Sequence, residues 1–459
     1  MRLYDTLSGE VQGFAPVGDE VKMYVCGPTP YDVTHLGHAM SYVVFDVLRR
    51  YLEHRGFRVR HVQNFTDIDD KLIARAVKDG VTVQALAERH IQGFLGDMDD
   101  LNVLRAHVYP RATQEIPAMV QVVQGLLGRG HAYVADGDVY FRVQKAPGYG
   151  KLSRRTLEGM VAGARVEPSE HKEHPLDFAL WKRAKPGEPS WESPWGQGRP
   201  GWHIECTAMS LRYLGTTLDI HGGGQDLVFP HHENEIAQSE RYTGVTPFVR
   251  FWVHNGLLRL GEEKMSKSVG NLIPVREALQ RYSADAIRLF FLNSHYRSPL
   301  TFSEEDLAAR ERATDRIRTA LRPAAYKEGE RAFETEGFRL RFMAAMDEDL
   351  NTPQALSVLF ELVHEINQHR DAGGNVAEGQ ALLQELGGVL GLTFQPRRST
   401  DNVALQPFLE LLVEVRARLR DARQYALADT IRSRLADLGV ALEDTPQGTL
   451  WRFQGPRLP

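Results

Sequence analysis

Two histidines lie close together in the string His35-Leu-Gly-His38. Residues three apart at the start of a helix share one face, so both imidazoles can reach one ligand. The first turn of a helix also has free N–H groups and a positive dipole, which attract phosphate. Gly37 removes a side chain where a ligand could approach the backbone. The pair is a candidate phosphate site, although two surface histidines would produce the same short string.

A second candidate phosphate site is the string Lys264-Met-Ser-Lys-Ser268, which lies between Gly261 and Gly270. Lys264 and Lys267 in a glycine-bordered loop can place two point charges on a polyphosphate. A solvated basic loop is the alternative. The chain contains no G-x-x-x-x-G-K-[ST] string, so a P-loop is not its phosphate-binding device.

A possible metal site combines the two cysteines of the chain with a segment rich in histidine and glutamate. His231 and Glu235 lie one turn apart on a predicted helix, so both side chains reach one point. Together with Cys26 and Cys206 they offer two thiolates, an imidazole and a carboxylate, all of which zinc accepts. Two buried free thiols and a buried His–Glu pair are the alternative, because the cysteines lack metal-binding spacing.

These residues need an α/β framework to position them. Residues 21–25 predict a short strand, apolar residues from Met40 to Tyr51 recur at helical spacing, and residues 57–65 suggest a second strand. A strand–helix–strand unit implies a parallel sheet, and such sheets bind ligands beyond the carboxyl ends of their strands. The loop from Cys26 to His38 lies at such an end.

The rest of the chain predicts further domains. Residues 144–200 are rich in Gly, Pro, Ser and Trp, helices dominate beyond about residue 270, and the chain ends in a hairpin-like segment. We expect an α/β protein whose Rossmann-like parallel-sheet domain is split by an insertion, followed by an all-α bundle and a small C-terminal domain. The predicted bounds are 1–120 and 201–260 for the two halves of the parallel-sheet domain, 121–200 for the insertion, 261–320 for the region that begins with the Lys264–Ser268 loop, 321–397 for the bundle and 398–459 for the C-terminal domain.

Composition narrows the class of protein. Of 459 residues, 42% are apolar and 25% charged, with a net charge of −5, which is typical of a globular chain and excludes a fibrous or wholly disordered one. No apolar run approaches the length of a membrane span, and the N-terminus lacks the apolar core of a secretory signal. Two cysteines cannot form a disulfide framework. We therefore expect a cytoplasmic protein.

Taken together, the motifs resemble one family. An HxGH string followed by KMSKS is the paired motif of class I aminoacyl-tRNA synthetases. Within that class, the chain resembles cysteinyl-tRNA synthetases over most of its length, in the strings VCGPTPYDVTHLGHA, NFTDIDDK, GWHIECTAM, DIHGGGQDLVFPHHENEIAQSE and EEKMSKSVGN. The resemblance implies ATP-dependent activation of L-cysteine and its transfer to tRNA(Cys).

The resemblance also implies roles for individual residues. The family's zinc ligands, which bind the thiolate of the substrate cysteine, match Cys26, Cys206, His231 and Glu235. Positions around the amino acid match Gly27, Thr66, Trp202 and His221. Positions at the ATP phosphates, with Mg²⁺ expected on the nucleotide, match His35, Gly37, His38, Lys264 and Lys267.

The C-terminal part decides which acceptor receives the activated cysteine. It is similar to the family's tRNA-binding bundle and anticodon-binding end, where Asp429, Asp444 and Trp451 match positions near the anticodon. Acidic side chains can accept hydrogen bonds from base amino groups, and an aromatic ring can stack on a base. The family resemblance predicts a monomer. The alternatives are a small-molecule cysteine ligase, similar to the ligase of mycothiol biosynthesis, and an inactive tRNA-binding paralogue.

Overall fold

The computed structural model of the chain describes residues 1–163, 171–260, 263–264, 272–323, 334–395, 400–445 and 448–453. In chain order, its strands are β1 (Arg2–Asp5), β2 (Glu10–Gly13), β3 (Glu20–Val25), β4 (Arg58–Gln63), β5 (Ala132–Ala135), β6 (Asp138–Phe141), β7 (Phe178–Arg183), β8 (Gly198–Pro200), β9 (Leu218–Gly224), β10 (Val249–Asn255), β11 (Leu258–Leu260), β12 (Glu263–Lys264), β13 (Leu300–Phe302), β14 (Val440–Thr445) and β15 (Gly448–Phe453). Its α-helices are α1 (Leu36–His54), α2 (Asp70–Asp79), α3 (Val83–Asp100), α4 (Ile116–Gly128), α5 (Leu157–Gly163), α6 (Trp202–Leu214), α7 (Glu233–Thr243), α8 (Val275–Arg281), α9 (Ala284–Leu292), α10 (Glu304–Ala320), α11 (Glu336–Asp347), α12 (Thr352–Asp371), α13 (Ala377–Val389), α14 (Thr400–Asp421) and α15 (Tyr425–Asp437).

A parallel sheet in the order β10-β9-β3-β4 forms the centre of the region that carries the predicted site residues. Side chains alternate between its faces: Met23 and Val25 join one apolar core, whereas Tyr24 joins the other. Helix α1 packs so closely on β9 that a Cβ atom on Gly222 would lie 2.2 Å from the Phe45 ring. The predicted strand–helix–strand unit, and the α/β class that it implies, are confirmed.

The insertion contributes a separate antiparallel sheet in the order β5-β6-β7-β8. Its apolar side chains, including Phe141 and Trp181, share a core with α4 and α6. The chain leaves the insertion through Gly201, whose N–H donates to the Leu180 carbonyl over 2.9 Å. Helix α6 starts directly after this contact, so the insertion fixes where α6 begins.

Helices α10 to α13 pack into the same apolar core as Met23 and Val25, together with α1 and α9. Ile317, Phe342 and Leu359 are among their residues in this core. A buried ion pair crosses this core, because Arg288 of α9 donates to Asp46 of α1 over 2.6 Å and both side chains are fully buried. Arg288 also donates to the carbonyls of Leu101 and Leu390. Residues 1–395 accordingly form one compact unit.

Residues 396–459 form a second compact unit. Here α14 and α15 pack with the antiparallel hairpin of β14 and β15 around a small apolar cluster that contains Leu409, Leu435, Val440 and Leu442. The predicted terminal hairpin is thus present. The domain bounds proposed from sequence stay predictions. Among the described residues, no helix is long and apolar enough to cross a membrane.

Candidate functional site

The candidate site lies at the carboxyl ends of the parallel strands, where the sequence places it. Cys26 follows β3 directly, and its N–H donates to the Gly222 carbonyl of β9 over 3.0 Å. Asn64 follows β4 and accepts a hydrogen bond from the Gly27 N–H over 2.8 Å. A Cβ atom on Gly27 would lie 1.5 Å from the Asn64 carbonyl oxygen, so this crossing requires glycine.

Cys26, Cys206, His231 and Glu235 come together in a buried cluster. The sulfurs of Cys26 and Cys206 lie 3.7 Å apart, and Cys26 Sγ is 3.7 Å from Glu235 Oε1. The same carboxylate oxygen is 3.0 Å from His231 Nε2, and the His231 side chain is also hydrogen-bonded with Cys206. Sulfurs bound about 2.3 Å from one tetrahedral zinc ion would lie about 3.8 Å apart. The donor types and the distance between the two sulfurs therefore fit zinc.

The neighbours of this cluster hold its donors in place. His221 Nε2 lies 2.8 Å from Glu235 Oε2, which leaves Oε1 facing the cysteines. His231 Nδ1 lies 2.9 Å from His203 Nδ1, and the His231 ring stacks on Trp202 at 4.3 Å. A histidine ligand typically has a partner on its second nitrogen, which fixes the ring orientation. His203 has that position here, a role that the sequence analysis missed.

His232 is a second residue that the sequence analysis missed. Its Nε2 lies 3.2 Å from Cys26 Sγ, and donor atoms of Cys26, His231, His232 and Glu235 all lie within 4.8 Å of one another. His232 Nδ1 is 2.7 Å from His254 Nε2, and His254 Nδ1 is 2.8 Å from the Thr6 hydroxyl. A chain of hydrogen bonds thus runs from Thr6 to Cys26.

Electrostatics couple the groups in the cluster. Burial alone would lower the pKa of His231, but the charge of Glu235 and the contact with Cys206 raise it. Burial alone would raise the pKa of Glu235, yet His221 and His231 lower it. Burial and the bond to Cys206 raise the pKa of Cys26, whereas the bond from Cys26 and the charge of His231 lower that of Cys206 despite its burial. The cluster therefore already favours one thiolate.

The four predicted amino-acid contacts border this cluster. Thr66 is buried, and its hydroxyl accepts from the Asn64 amide over 3.4 Å. His221 is fully buried and stacks on Trp252, whereas Trp202 is 40% exposed. The site is thus exposed to solvent on the side of Trp202 and buried on the side of His221.

The two predicted phosphate motifs are connected through the backbone. His35 caps α1 by accepting from the His38 N–H, and the two rings stack at 3.7 Å. The Leu36 N–H donates to the Ile273 carbonyl, and the Val275 N–H donates to the Thr34 carbonyl. Residues 272–275 follow the KMSKS string, so the exit of that string pairs with the entry of α1.

Lys264 and Lys267 are two further predicted phosphate ligands. The backbone of Lys264 pairs with Arg259 through β12 and β11, while Lys267 lies outside the described residues. A Cβ atom on Gly37 would lie 3.1 Å from the His35 ring, so a larger residue there would press on the histidine pair. The phosphate roles stay predictions.

The predicted anticodon contacts all lie in the C-terminal unit. Asp429 is exposed on α15, and Trp451 lies on β15 against the apolar cluster. Asp444 accepts two hydrogen bonds of 2.8 Å from Arg416 and a further one from Arg420. Arg416 is itself fully buried. Asp444 thus stabilises its own unit, and its role towards RNA stays a prediction.

Comparison with known proteins gives concordant matches. The family model for the class I (C) tRNA synthetase catalytic domain matches residues 14–312, and the DALR domain model matches residues 341–395. Cysteine--tRNA ligase of Dehalococcoides mccartyi is 58% identical over 99% of this chain and 100% of its own length. The enzyme of Moorella thermoacetica is 50% identical over 98% of this chain and 100% of its own length.

Solved structures resemble the fold. Methionyl-tRNA synthetase of Mycobacterium tuberculosis, solved with methionyl-adenylate, has a TM-score of 0.58 at 17% identity and covers 81% of this chain and 89% of its own. A LeuRS–tRNA–LeuAMS complex from Agrobacterium radiobacter has a TM-score of 0.57 at 12% identity and covers 84% of this chain and 88% of its own.

The parallel sheet, the insertion and the histidine pair at the start of α1, together with the matched catalytic model, define a class I aminoacyl-tRNA synthetase. The two relatives that match over their full length are both cysteine--tRNA ligases. The chain belongs to the cysteine--tRNA ligase family.

Proposed function

We propose that this chain activates L-cysteine with ATP and transfers the cysteinyl group to the 3′ end of tRNA(Cys). The buried Cys26–Cys206–His231–Glu235 cluster carries this proposal, since its donors and spacing fit zinc. Zinc held there would supply a soft Lewis acid that favours a thiolate over a hydroxyl group. Cysteine and serine differ in one atom, so a pocket that recognises shape alone would discriminate poorly between them. This cluster is therefore the basis of selection.

The protein positions the reactants and stabilises charge. The cysteine carboxylate attacks the α-phosphorus of ATP, an O–P bond forms, and pyrophosphate leaves with the electrons of the broken bond. His35 and His38, with Lys264 and Lys267, would stabilise the phosphate charge, and Mg²⁺ would accompany the nucleotide. A ribose hydroxyl of the tRNA then attacks the activated carbonyl, and AMP leaves. No protein nucleophile is required.

The experiment is cysteine-dependent ATP–pyrophosphate exchange, with serine as the control and zinc measured on the same sample. We expect exchange with cysteine only and about one zinc per chain, as a single tetrahedral site requires. Charging of tRNA(Cys) then tests the acceptor. Exchange without charging would favour a small-molecule cysteine ligase, and no exchange at all would favour an inactive tRNA-binding protein. A monomeric state and a cytoplasmic location stay predictions, the first testable by light scattering.

A further inference from the structure

A cavity of about 230 Å³ opens beside the cysteine cluster, between the loop after β4 and the edge of the insertion sheet. Its lining includes Asp69, Lys182, Arg199, Trp202 and Glu205. Trp202 also borders the predicted amino-acid pocket. The cavity and the exposed edge of the predicted amino-acid pocket therefore share Trp202.

The cations of this cavity already have partners. Lys182 donates to Asp70 over 2.6 Å, and Arg199 donates to the other oxygen of the same carboxylate. Arg199 also faces Glu188 at 3.5 Å. Asp70 and Glu188 thus neutralise the charges of Lys182 and Arg199. Among the described residues, neither of these two cations forms an ion pair with Glu205.

Glu205 lies on α6, three residues after Trp202 and directly before Cys206. Its side chain is 1% exposed and is hydrogen-bonded with the Thr66 side chain. Its second carboxyl oxygen, Oε2, has no hydrogen-bond partner among the described residues. A buried polar atom without a partner is destabilising by about 1–3 kcal/mol, so such an atom indicates a missing partner.

We propose that Glu205, together with Thr66, binds the α-ammonium group of the cysteine substrate and selects an amino acid against other thiols. This inference rests on the proposed function. The thiol and the ammonium of cysteine are three bonds apart, and Cys206 and Glu205 are neighbours on one helix. A ligand whose sulfur lies at the cysteine cluster can therefore place its ammonium at Glu205. An ammonium group supplies both the donor and the positive charge that this carboxyl lacks.

The test compares two ligands that differ only in the ammonium group. Calorimetric titration of the metal-containing protein with L-cysteine and with 3-mercaptopropionate measures the preference for the amino acid. Glu205→Gln should weaken binding of cysteine by about 10- to 100-fold, as for loss of a charged hydrogen bond, and that of 3-mercaptopropionate by less than about threefold. Glu188→Gln is the matched control, since this carboxyl contacts Arg199 instead, and should leave the preference unchanged.

Two results would overturn the assignment: equal weakening of both ligands, which indicates a structural role, or no weakening of either. If Glu205→Gln does not fold or loses its metal, the unmodified protein still provides a measurement that can refute the assignment. It must bind cysteine at least about tenfold more tightly than 3-mercaptopropionate. Equal affinities would refute a carboxyl that recognises the ammonium. Charging of tRNA(Cys) by the unmodified protein is a separate readout, so failure of this inference is distinguishable from failure of the proposed function.

Discussion

Cys206 and His232 both lie close to Cys26, but the hydrogen bonds around them give them different roles. If the Thr6 hydroxyl donates to His254 and His254 donates to His232, then His232 Nε2 donates to the Cys26 sulfur. In that arrangement His232 has no lone pair left for a metal, and it donates a hydrogen bond to the Cys26 sulfur. Cys206 is instead hydrogen-bonded with His231, and it stays one of the four predicted zinc ligands.

Replacing each residue separates these roles. Cys206→Ser should purify with much less than one zinc per chain and should lose cysteine-dependent exchange, because oxygen replaces a soft thiolate ligand. His232→Gln should retain about one zinc, with affinity reduced about 10- to 100-fold, as for loss of a residue that supports a ligand. Mass-spectrometric metal analysis measures both. Full metal content and full activity in Cys206→Ser would remove it from the zinc site.

Gly27 provides a second test at this scale. Gly27→Ala places a methyl group against the Asn64 carbonyl and so shifts the loop that carries Cys26. We expect kcat/KM for cysteine activation to fall by about 100-fold or more, because displacements near 1 Å in an active site have effects of this size. Gly13→Ala is the matched control, since nothing lies within 4 Å of its added Cβ atom. Equal activities of the two variants would refute the close approach.

At the scale of elements, local patterns predicted local structure. Apolar spacing gave α1 and its flanking strands, and the one-turn spacing of His231 and Glu235 predicted their contact. His232 lies three residues before Glu235, which is also a helical spacing, so this signal could have identified it.

The periodicity of the sequence did not predict which distant elements come together at the site. The meeting of Cys26 and Cys206 depends on how α6 packs against β3, and spacing contains no information about that packing; only the family resemblance predicted it. Trp202, Glu205 and Cys206 do share a helical face, a signal that could have identified Glu205. The burial of its carboxyl, by contrast, depends on the insertion.

The C-terminal hairpin makes a prediction about pH. The hydrogen bond from Arg416 holds the pKa of Asp444 well below its usual range. A lowered carboxyl pKa adds stability above the pKa of the unfolded chain, about 3.9, and that stability is lost as the pH falls. Asp444→Asn should destabilise this unit by about 1–2 kcal/mol at pH 7, since Asp444 is partly exposed.

Hydrogen exchange of hairpin peptides in the full-length protein measures this effect. Protection in Asp444→Asn should fall at pH 7, and its deficit relative to the unmodified chain should shrink as the pH approaches 3 to 4, where the unfolded carboxyl protonates. A deficit that stays constant with pH would show that the charge of Asp444 contributes nothing.

At the scale of the whole molecule, the buried pair of Arg288 and Asp46 links the parallel-sheet region to the helices that follow it. Breaking a buried pair leaves an uncompensated charge, so Asp46→Asn should lower the free energy of unfolding by about 3–5 kcal/mol. Urea unfolding of the full chain measures this change. Asp99→Asn removes one partner of the exposed pair with Arg105 and should change stability by less than about 1 kcal/mol. Equal effects would mean that burial of the pair is irrelevant.

The backbone contacts between residues 34–36 and 273–275 have a consequence for entropy. Bringing two segments together across more than two hundred intervening residues has a loop-closure cost that rises with the length of the chain between them. In this protein the loop-closure entropy is already lost when the core folds, before any ligand binds. A ligand that contacts both segments therefore finds them already joined, and none of its interaction energy is needed to close that loop.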